Sequence, residues 1–319
     1  MTFILSSALE RTANRNLPAP LSAAVTSTLE HLREGCFQRT LCLIVATTSV
    51  ASGLEVGYEH YKGSYSNPVM YTPVILSGVL AGAGLSGVFS RFSARTVLRW
   101  VSIVTLADGI IGFFFHVRGV ARKPGGWSLP ITNIVMGPPI FAPLLFGTSA
   151  YLGLMASYLR REEDLHSIEG RIDSKSEGES SNWKAELRYG RFQKHLSALT
   201  VLWAFFSGFE ALYSHYKTNF RYKAQWTPVL LTPLLMAAGV GAMKSRRIAN
   251  TALPAVSALA LADGAVGFFY HARGIVRRPG GVKKPLYNIL YGPPIFAPLL
   301  FAACGFLGLL ASLLRRERK

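Results

Sequence analysis

Four acidic residues stand inside otherwise apolar stretches of this chain, where a charge is costly. They are Glu55, Asp108, Glu210 and Asp263. Ionisable groups within lipid are rare, so these residues are candidates for binding or moving an ion or a proton. The competing interpretation is structural, with each carboxyl group hydrogen-bonding a neighbouring helix and holding the bundle together. A helix rise of about 1.5 Å per residue puts Asp108 roughly 12 Å deeper in the membrane than His116.

Each of these acids is followed by a histidine, five residues after a glutamate or eight residues after an aspartate. The four are His60, His116, His215 and His271. Two imidazoles at similar depth on neighbouring helices are what a bis-histidine haem site requires, so the pattern allows non-covalent haem b. The same acids and histidines allow a metal cation, although their spacing does not put them on one helix face. Histidines at the membrane surface also occur without any ligand.

Basic residues recur beside Pro-Gly-Gly sequences that predict turns with positive φ. They are Arg118, Arg122, Lys123, Arg273, Arg277 and Arg278. Guanidinium groups present forked donors to phosphate or carboxylate groups. These residues therefore predict contacts with anionic lipid headgroups, or with an anionic ligand, at the outer surface of a membrane.

All of these features occur twice at a constant separation. Leu106-Ala107-Asp108-Gly109 recurs as Leu261-Ala262-Asp263-Gly264, displaced by 155 residues. Between 106 and 146, 27 of 41 positions are identical to their partners, against 20 of 53 between 53 and 105. The chain therefore contains a tandem duplication whose copies have diverged unevenly.

Long apolar runs predict the elements that hold these residues. Each run approaches the roughly 20 residues that a helix needs to cross a bilayer. The predicted spans are 39–59, 69–89, 97–117, 137–159, 196–214, 226–243, 250–272 and 292–314. We therefore expect an all-α integral membrane fold of eight transmembrane helices, arranged as two tandem parallel four-helix repeats. The predicted domains are a lead at 1–38, repeats at 39–162 and 196–319, and a charged linker at 163–195.

Charge sets the expected orientation. Only 16% of the 319 residues are charged, against roughly 25% in soluble domains. The segments on the side of the two termini hold 22 of the 34 Lys and Arg residues, and the opposite loops hold 12. The excess predicts cytoplasmic termini in a cell membrane. The net charge of +17 is then explained by membrane orientation, and nucleic acid is not an expected partner.

No nucleotide cradle, nucleophile elbow, zinc-protease helix or kinase signature occurs in the sequence. We therefore expect a multi-pass membrane protein without catalytic activity. The preferred hypothesis is transport or conduction of a small ion, a proton or an anionic solute through paired acidic sites. The alternatives are a redox subunit that binds haem b through its histidine pairs, and a membrane scaffold that docks a partner through its basic loops.

Overall fold

The computed structural model describes residues 18–165 and 183–314, together with residues 11, 316 and 317. Within this part of the chain the fold is all-helical. Six helices are long and apolar enough to cross a membrane, so the protein is a multi-pass membrane protein. These candidate spans are Gln38–Lys62, Pro68–Phe89, Ser93–Ala121, Gln193–Lys217, Lys223–Lys244 and Ala252–Val276.

The labels used below follow chain order. The first half contains α1 (Ala19–Glu34), α2 (Gln38–Lys62), α3 (Thr72–Phe89), α4 (Leu98–Ala121), α5 (Pro130–Val135) and α6 (Ala142–Ala156). The second half contains α7 (Trp183–Arg188), α8 (Gln193–Lys217), α9 (Thr227–Lys244), α10 (Arg246–Asn250), α11 (Ala252–Val276), α12 (Pro285–Leu290) and α13 (Ala297–Leu313).

The last helix of each half is shorter than the sequence predicts. The expected spans 137–159 and 292–314 are helical only over Ala142–Ala156 and Ala297–Leu313. Residues 137–141 precede α6 as irregular backbone. Pro138, Pro139 and Pro143 lack the N–H groups that a helix would use, so a helix cannot extend backwards through them. Neither α6 nor α13 alone has the length of a membrane span.

The lead and the linker both contain a helix that the domain boundaries did not anticipate. In the lead, α1 ends at Gly35, where φ is 71°. In the linker, the turn after α7 contains Gly190, where φ is 67°. These two glycines pack against each other, and a Cβ on Gly35 would lie 2.5 Å from the Gly190 nitrogen. The lead before Pro18, apart from Arg11, and linker residues 166–182 lie outside the described residues.

Small residues allow some of these helices to approach closely. The sequence around Gly84 predicts such packing, and a Cβ on Gly84 would lie 2.9 Å from the Cys42 carbonyl oxygen on α2. Gly78 and Gly82 belong to the same stripe of small residues on α3, at 78–84, but have open space beside them. Only part of the stripe therefore serves helix contact.

An Arg-Glu pair after the last helix of each half ties the ends of two other helices together. The Arg161 guanidinium donates to the Val88 carbonyl at the end of α3. The Glu162 carboxylate accepts from the backbone N–H groups of Arg39 and Thr40, at 3.0 and 2.8 Å, at the start of α2. A cation at a helix C-terminus and an anion at an N-terminus are both favourable.

An equivalent Arg-Glu pair, Arg316 and Glu317, follows α13. Arg316 donates to the carbonyls of Ala242 and Met243 at the end of α9. Glu317 accepts from the N–H groups of Lys194 and His195, at 2.8 and 3.1 Å, at the start of α8. Both halves are therefore fastened at this face of the bundle by charge-assisted bonds to helix ends.

Candidate functional site at two interrupted helices

Ahead of α6, the irregular segment runs back along α4. Pro138 packs beside Gly119, and Pro143 packs beside Gly109 and Gly112. A Cβ added to Gly109 would lie 2.7 Å from the Pro143 carbonyl oxygen, so this approach requires glycine. The segment Gly-Pro-Pro-Ile-Phe at 137–141 therefore continues the course of α6 in non-helical form, and the start of α6 lies beside the middle of α4. We call this segment and its equivalent at 292–296 the interruptions, and α6 and α13 the interrupted helices.

Histidine side chains hold these segments in place. The His116 Nδ1 atom lies 2.5 Å from the Pro139 carbonyl oxygen, and the His271 Nδ1 atom lies 2.6 Å from the Pro294 carbonyl oxygen. A carbonyl oxygen only accepts hydrogen bonds, so each Nδ1 atom carries the proton. This arrangement fixes the ring orientation and turns the lone pair of the neutral imidazole to Nε2.

A half-buried glutamate from the other half, Glu210, meets the start of α6. The backbone N–H of Phe141 donates to Glu210 Oε1 at 3.0 Å, and the N–H of Ala142 interacts with the same carboxyl group. Pro143 has no N–H, and the N–H of Leu144 bonds to the Phe141 carbonyl at 3.0 Å. Glu210 thus satisfies the donors left open at a helix start, about 10 Å from the end of its own span.

The Phe141 side chain is enclosed by aromatic rings. Its ring stacks on Phe206, with the centroids 4.5 Å apart, and meets Phe209 and Phe205 edge-on at 5.4 and 5.7 Å. Phe113 of α4 lies 6.1 Å away on the same half as Phe141. Three of these four partners belong to α8. The irregular segment of the first half therefore packs against the first long helix of the second half.

The corresponding contact in the second half is looser. The backbone N–H of Phe296 interacts with the Glu55 carboxyl group, and Tyr58 donates to Glu55 Oε1 at 3.2 Å. Glu55 Oε2 is buried and has no hydrogen-bond partner among the described residues. The α2 residues at the positions of the three α8 phenylalanines are Val50, Ala51 and Leu54.

Charged side chains near one end of α2 and α8 surround this interface. Lys217 lies within electrostatic range of both Glu210 and Glu59, and Lys62 and Lys123 are close to Lys217. Lys123 comes from the basic loop that the sequence singled out. Three lysines and one glutamate therefore lie between the interface and the adjacent membrane surface, and they favour the approach of anions.

The aspartates have different surroundings from the glutamates. Thr72 Oγ1 donates to Asp108 Oδ1 at 2.6 Å, and Thr227 Oγ1 donates to Asp263 Oδ1 at 2.5 Å. Each bond joins the third long helix of a half to the start of the second. In the described part of the chain, no hydrogen bond or ion pair joins an aspartate to the glutamate of its own half. The sequence pairs Glu55 with Asp108 and Glu210 with Asp263, and no direct contact between their side chains accompanies this pairing.

The four histidines lie in two pairs, one in each half. His60 lies within electrostatic range of His116, and His215 within range of His271. His60 Nδ1 lies 2.6 Å from the Met70 carbonyl oxygen. Across the described ranges, no group of three or more His, Cys, Asp or Glu side chains converges as a metal site would require. A two-histidine arrangement remains the basis of the haem hypothesis.

The Pro-Gly-Gly turns have the backbone that the sequence predicts. The φ angles are 80° at Gly125 and 47° at Gly126. Asn133 closes this loop by donating to the carbonyls of Pro124 and Gly126, at 3.0 and 2.7 Å. Large exposed apolar residues follow both turns, at Trp127, Leu129, Ile131, Val282, Leu286 and Tyr287.

The basic residues of these loops differ in exposure. Lys123 and Arg278 are half-buried, and the other four are exposed, namely Arg118, Arg122, Arg273 and Arg277. Basic groups beside exposed apolar ones fit a membrane–water boundary. Anchoring to lipid headgroups therefore stays a prediction for these residues, and an anionic ligand stays the alternative.

Compared with known protein families, characterised proteins and solved structures, the chain shows no match. The site is therefore interpreted from its own geometry. Sequence reasoning missed Phe141, Phe296 and the contacts between the halves. The signal was present, because residues 137–146 and 292–301 are identical in sequence, but identity alone does not say what they contact.

Proposed function

We propose that this protein transports a small anionic solute together with a proton, along the interface between two parallel four-helix repeats. In this proposal α6 and α13 cross the membrane with the help of the irregular segments before them, which makes eight crossings. Transporters built from repeats bind their substrates where interrupted helices meet at the repeat interface.

The contacts between the halves support a parallel arrangement. Gly35 meets its own counterpart Gly190 at one face of the bundle. Farther along the bundle, Glu210 meets Phe141 while Glu55 approaches Phe296. A two-fold axis brings a residue into contact with its own equivalent in the other half. It also repeats each contact between the halves with the two partners exchanged. An axis that passes through both levels runs along the bundle, which is the membrane normal.

The observation that carries the functional proposal is the Glu210 carboxylate at the start of α6. Helix N-termini bind anions because their N–H groups are unpaired and their dipoles favour negative charge. Here a side chain of the protein occupies that position. Protonation of Glu210 weakens its hold on the donors, and an anionic solute can then take its place. This exchange links movement of the anion to movement of a proton.

The aspartates have a separate role in this proposal. Each accepts a hydrogen bond from a threonine on the neighbouring helix, which fits a residue that positions helices. Asp108 and Asp263 therefore provide matched control positions. They are acids within other membrane spans, and their side-chain bonds go to threonines rather than to the start of α6 or α13.

Proteoliposomes loaded with a pH-sensitive dye test the proposal. Chloride, acetate and phosphate gradients are imposed in turn, and internal acidification is recorded. We expect acidification with at least one of these anions, loss of that signal in Glu210→Gln, and near-normal signal in Asp108→Asn/Asp263→Asn. Glutamine keeps the shape and one acceptor, so folding is retained.

Two outcomes would contradict the proposal. The first is an unchanged signal in a folded Glu210→Gln protein, and the second is loss of signal only in the aspartate variant, which would return the mechanism to Asp108 and Asp263. If the wild-type protein moves neither protons nor the tested anions, the scaffold interpretation gains support instead.

One observation favours haem binding as a second candidate. His60 and His116 both direct Nδ1 to backbone carbonyls, which is how ligating histidines are commonly oriented, with Nε2 left for the metal. The visible spectrum of the purified protein, before and after addition of haemin, tests this function. A Soret band that disappears in His60→Ala would support it, and a spectrum without one would exclude it.

A further inference from the structure

A cavity of about 360 Å³ lies at the face of the bundle where α2 begins. Its walls come from the start of the third long span, the chain just after α6, and α7. The residues lining it are Arg95, Arg99, Ser157, Tyr158, Lys184, Ala185, Arg188 and Tyr189. Four of these are cationic and none is acidic, so the electrostatic potential inside favours an anion.

The Arg99 guanidinium is held in a fixed position within this cavity. Its Nε atom donates to Ser157 Oγ at 3.1 Å, and its Nη2 atom donates to the Ser157 carbonyl at 3.2 Å. The same group stacks over the Tyr158 ring at 4.4 Å. A guanidinium that is oriented in advance loses little conformational freedom when it binds a phosphate or carboxylate group.

The wall formed by α7 is fastened to the rest of the fold. Arg160 is buried, and its Nε atom donates to the Arg188 carbonyl at the end of α7. Its guanidinium also lies 4.8 Å above the Tyr189 ring. At the other end of α7, the Trp183 ring meets Tyr158 edge-on at 5.3 Å. The cavity is therefore a built feature, with walls from both halves of the chain.

The second half does not repeat this cavity chemistry. The residues at the positions of Arg95, Arg99 and Tyr158 are Asn250, Pro254 and Leu313. The equivalent helices still pack in the second half, so the fold does not require these cationic and aromatic side chains. Their presence in the first half alone points to a ligand.

We propose that this cavity binds a phosphate group, carried either by an anionic lipid headgroup or by a soluble phosphate monoester. Its volume lies within the range of small-molecule sites. Basic pockets between membrane helices at the cytoplasmic side are suited to lipid phosphates. Asp164, an acid within electrostatic range of the lining residue Arg95, is already engaged by Arg91 through two bonds of 2.9 and 2.7 Å. The proposal is independent of transport, because the cavity lies at the C-terminal end of α6, whereas Glu210 meets its N-terminal start.

The test uses the full-length protein purified in detergent. Binding of inorganic phosphate and of glycerol 3-phosphate is measured by titration, and retention of phosphatidic acid against phosphatidylcholine by native mass spectrometry. The pocket variant is Arg95→Gln/Arg188→Gln, because both side chains are exposed and folding should survive. Arg246→Gln/Arg247→Gln is the matched control, with the same charge loss on the same face but outside the cavity.

We expect wild-type and control proteins to bind alike and the pocket variant to bind at least about tenfold more weakly. Arg99→Lys should also weaken binding, since it keeps the charge but loses the forked donors. Weakening confined to phosphatidic acid assigns the site to lipid, and weakening confined to glycerol 3-phosphate assigns it to a soluble ligand. Equal weakening in pocket and control variants, or a wild-type protein that binds none of inorganic phosphate, glycerol 3-phosphate and phosphatidic acid, would overturn the proposal.

Discussion

The irregular segments before α6 and α13 are identical in sequence and differ in what holds them. Residues 137–146 and 292–301 match at every position. Phe141 sits among four aromatic rings, and its N–H bonds to Glu210 at 3.0 Å. Phe296 has a described ring contact only with Phe268, at 6.5 Å, and Glu55 beside it keeps one oxygen without a partner.

The difference shows that the interruption and its anchoring are encoded separately. The prolines and the glycines of the adjacent helix produce the break in both halves, because they act within a few residues or across one helix contact. How tightly the break is held depends on the first long helix of the opposite half. In the proposed transport cycle, the first interruption is the rigid element and the second is the one that moves.

The largest expected effect separates the two phenylalanines. Phe141→Ala should lower the free energy of unfolding by about 3–5 kcal/mol, as for a large ring removed from a packed site. Phe296→Ala should cost less than about 2 kcal/mol, because fewer rings surround it. Unfolding in mixed detergent and SDS micelles measures both. Equal losses would remove the distinction between a rigid and a mobile interruption.

The next effect separates the two glutamates. Glu210→Ala removes the acceptor from the partly buried N–H groups at the start of α6 and should cost about 2–4 kcal/mol. Glu55→Ala should cost about 1 kcal/mol, because its contact is already incomplete. The same unfolding assay applies. A larger loss for Glu55 than for Glu210 would reverse the proposed assignment of rigid and mobile halves.

The aspartates should show no such asymmetry. Asp108→Asn and Asp263→Asn each keep the hydrogen bond to threonine, and interhelical hydrogen bonds in membranes average about 0.6 kcal/mol. We expect both variants to unfold within about 1 kcal/mol of wild type and within error of each other. A marked difference between them would show that the halves also diverge at the helix contacts that appear equivalent.

The smallest effect concerns an ion pair that only the first half contains. The Arg91 guanidinium holds the pKa of Asp164 below its usual range, and the residue equivalent to Asp164 is Lys319. A depressed pKa stabilises the fold above the ordinary aspartate pKa of about 3.9 and ceases to do so as the pH falls through the lowered value.

Thermal unfolding of wild type and Asp164→Asn measures this contribution. The wild type should be more stable at pH 6 by less than about 1 kcal/mol, because half of the Arg91 side chain is exposed. That advantage should vanish as the pH falls through the lowered pKa of Asp164. A difference that does not change with pH would show that Asp164 acts by packing rather than by charge.

Much of this molecule follows from the sequence alone. The apolar runs predict the long helices, and the matching positions predict two related halves. The Pro-Gly-Gly pattern predicts turns with positive φ, which Gly125, Gly126, Gly280 and Gly281 all have. The predictions of long helices and of positive φ are confirmed, because hydrophobic periodicity and the steric limits of proline and glycine act locally along the chain.

Only the tertiary structure decided which groups each acid contacts. The sequence treats Glu55 and Asp108 as a pair within one half, yet Glu55 turns to Phe296 and Asp108 to Thr72. The basic cavity was likewise not predicted, because Arg99 and Arg188 are far apart in the chain and meet only when α7 packs beside Ser157. Contacts between distant segments depend on helix rotation and on side-chain packing, neither of which residue type or spacing specifies.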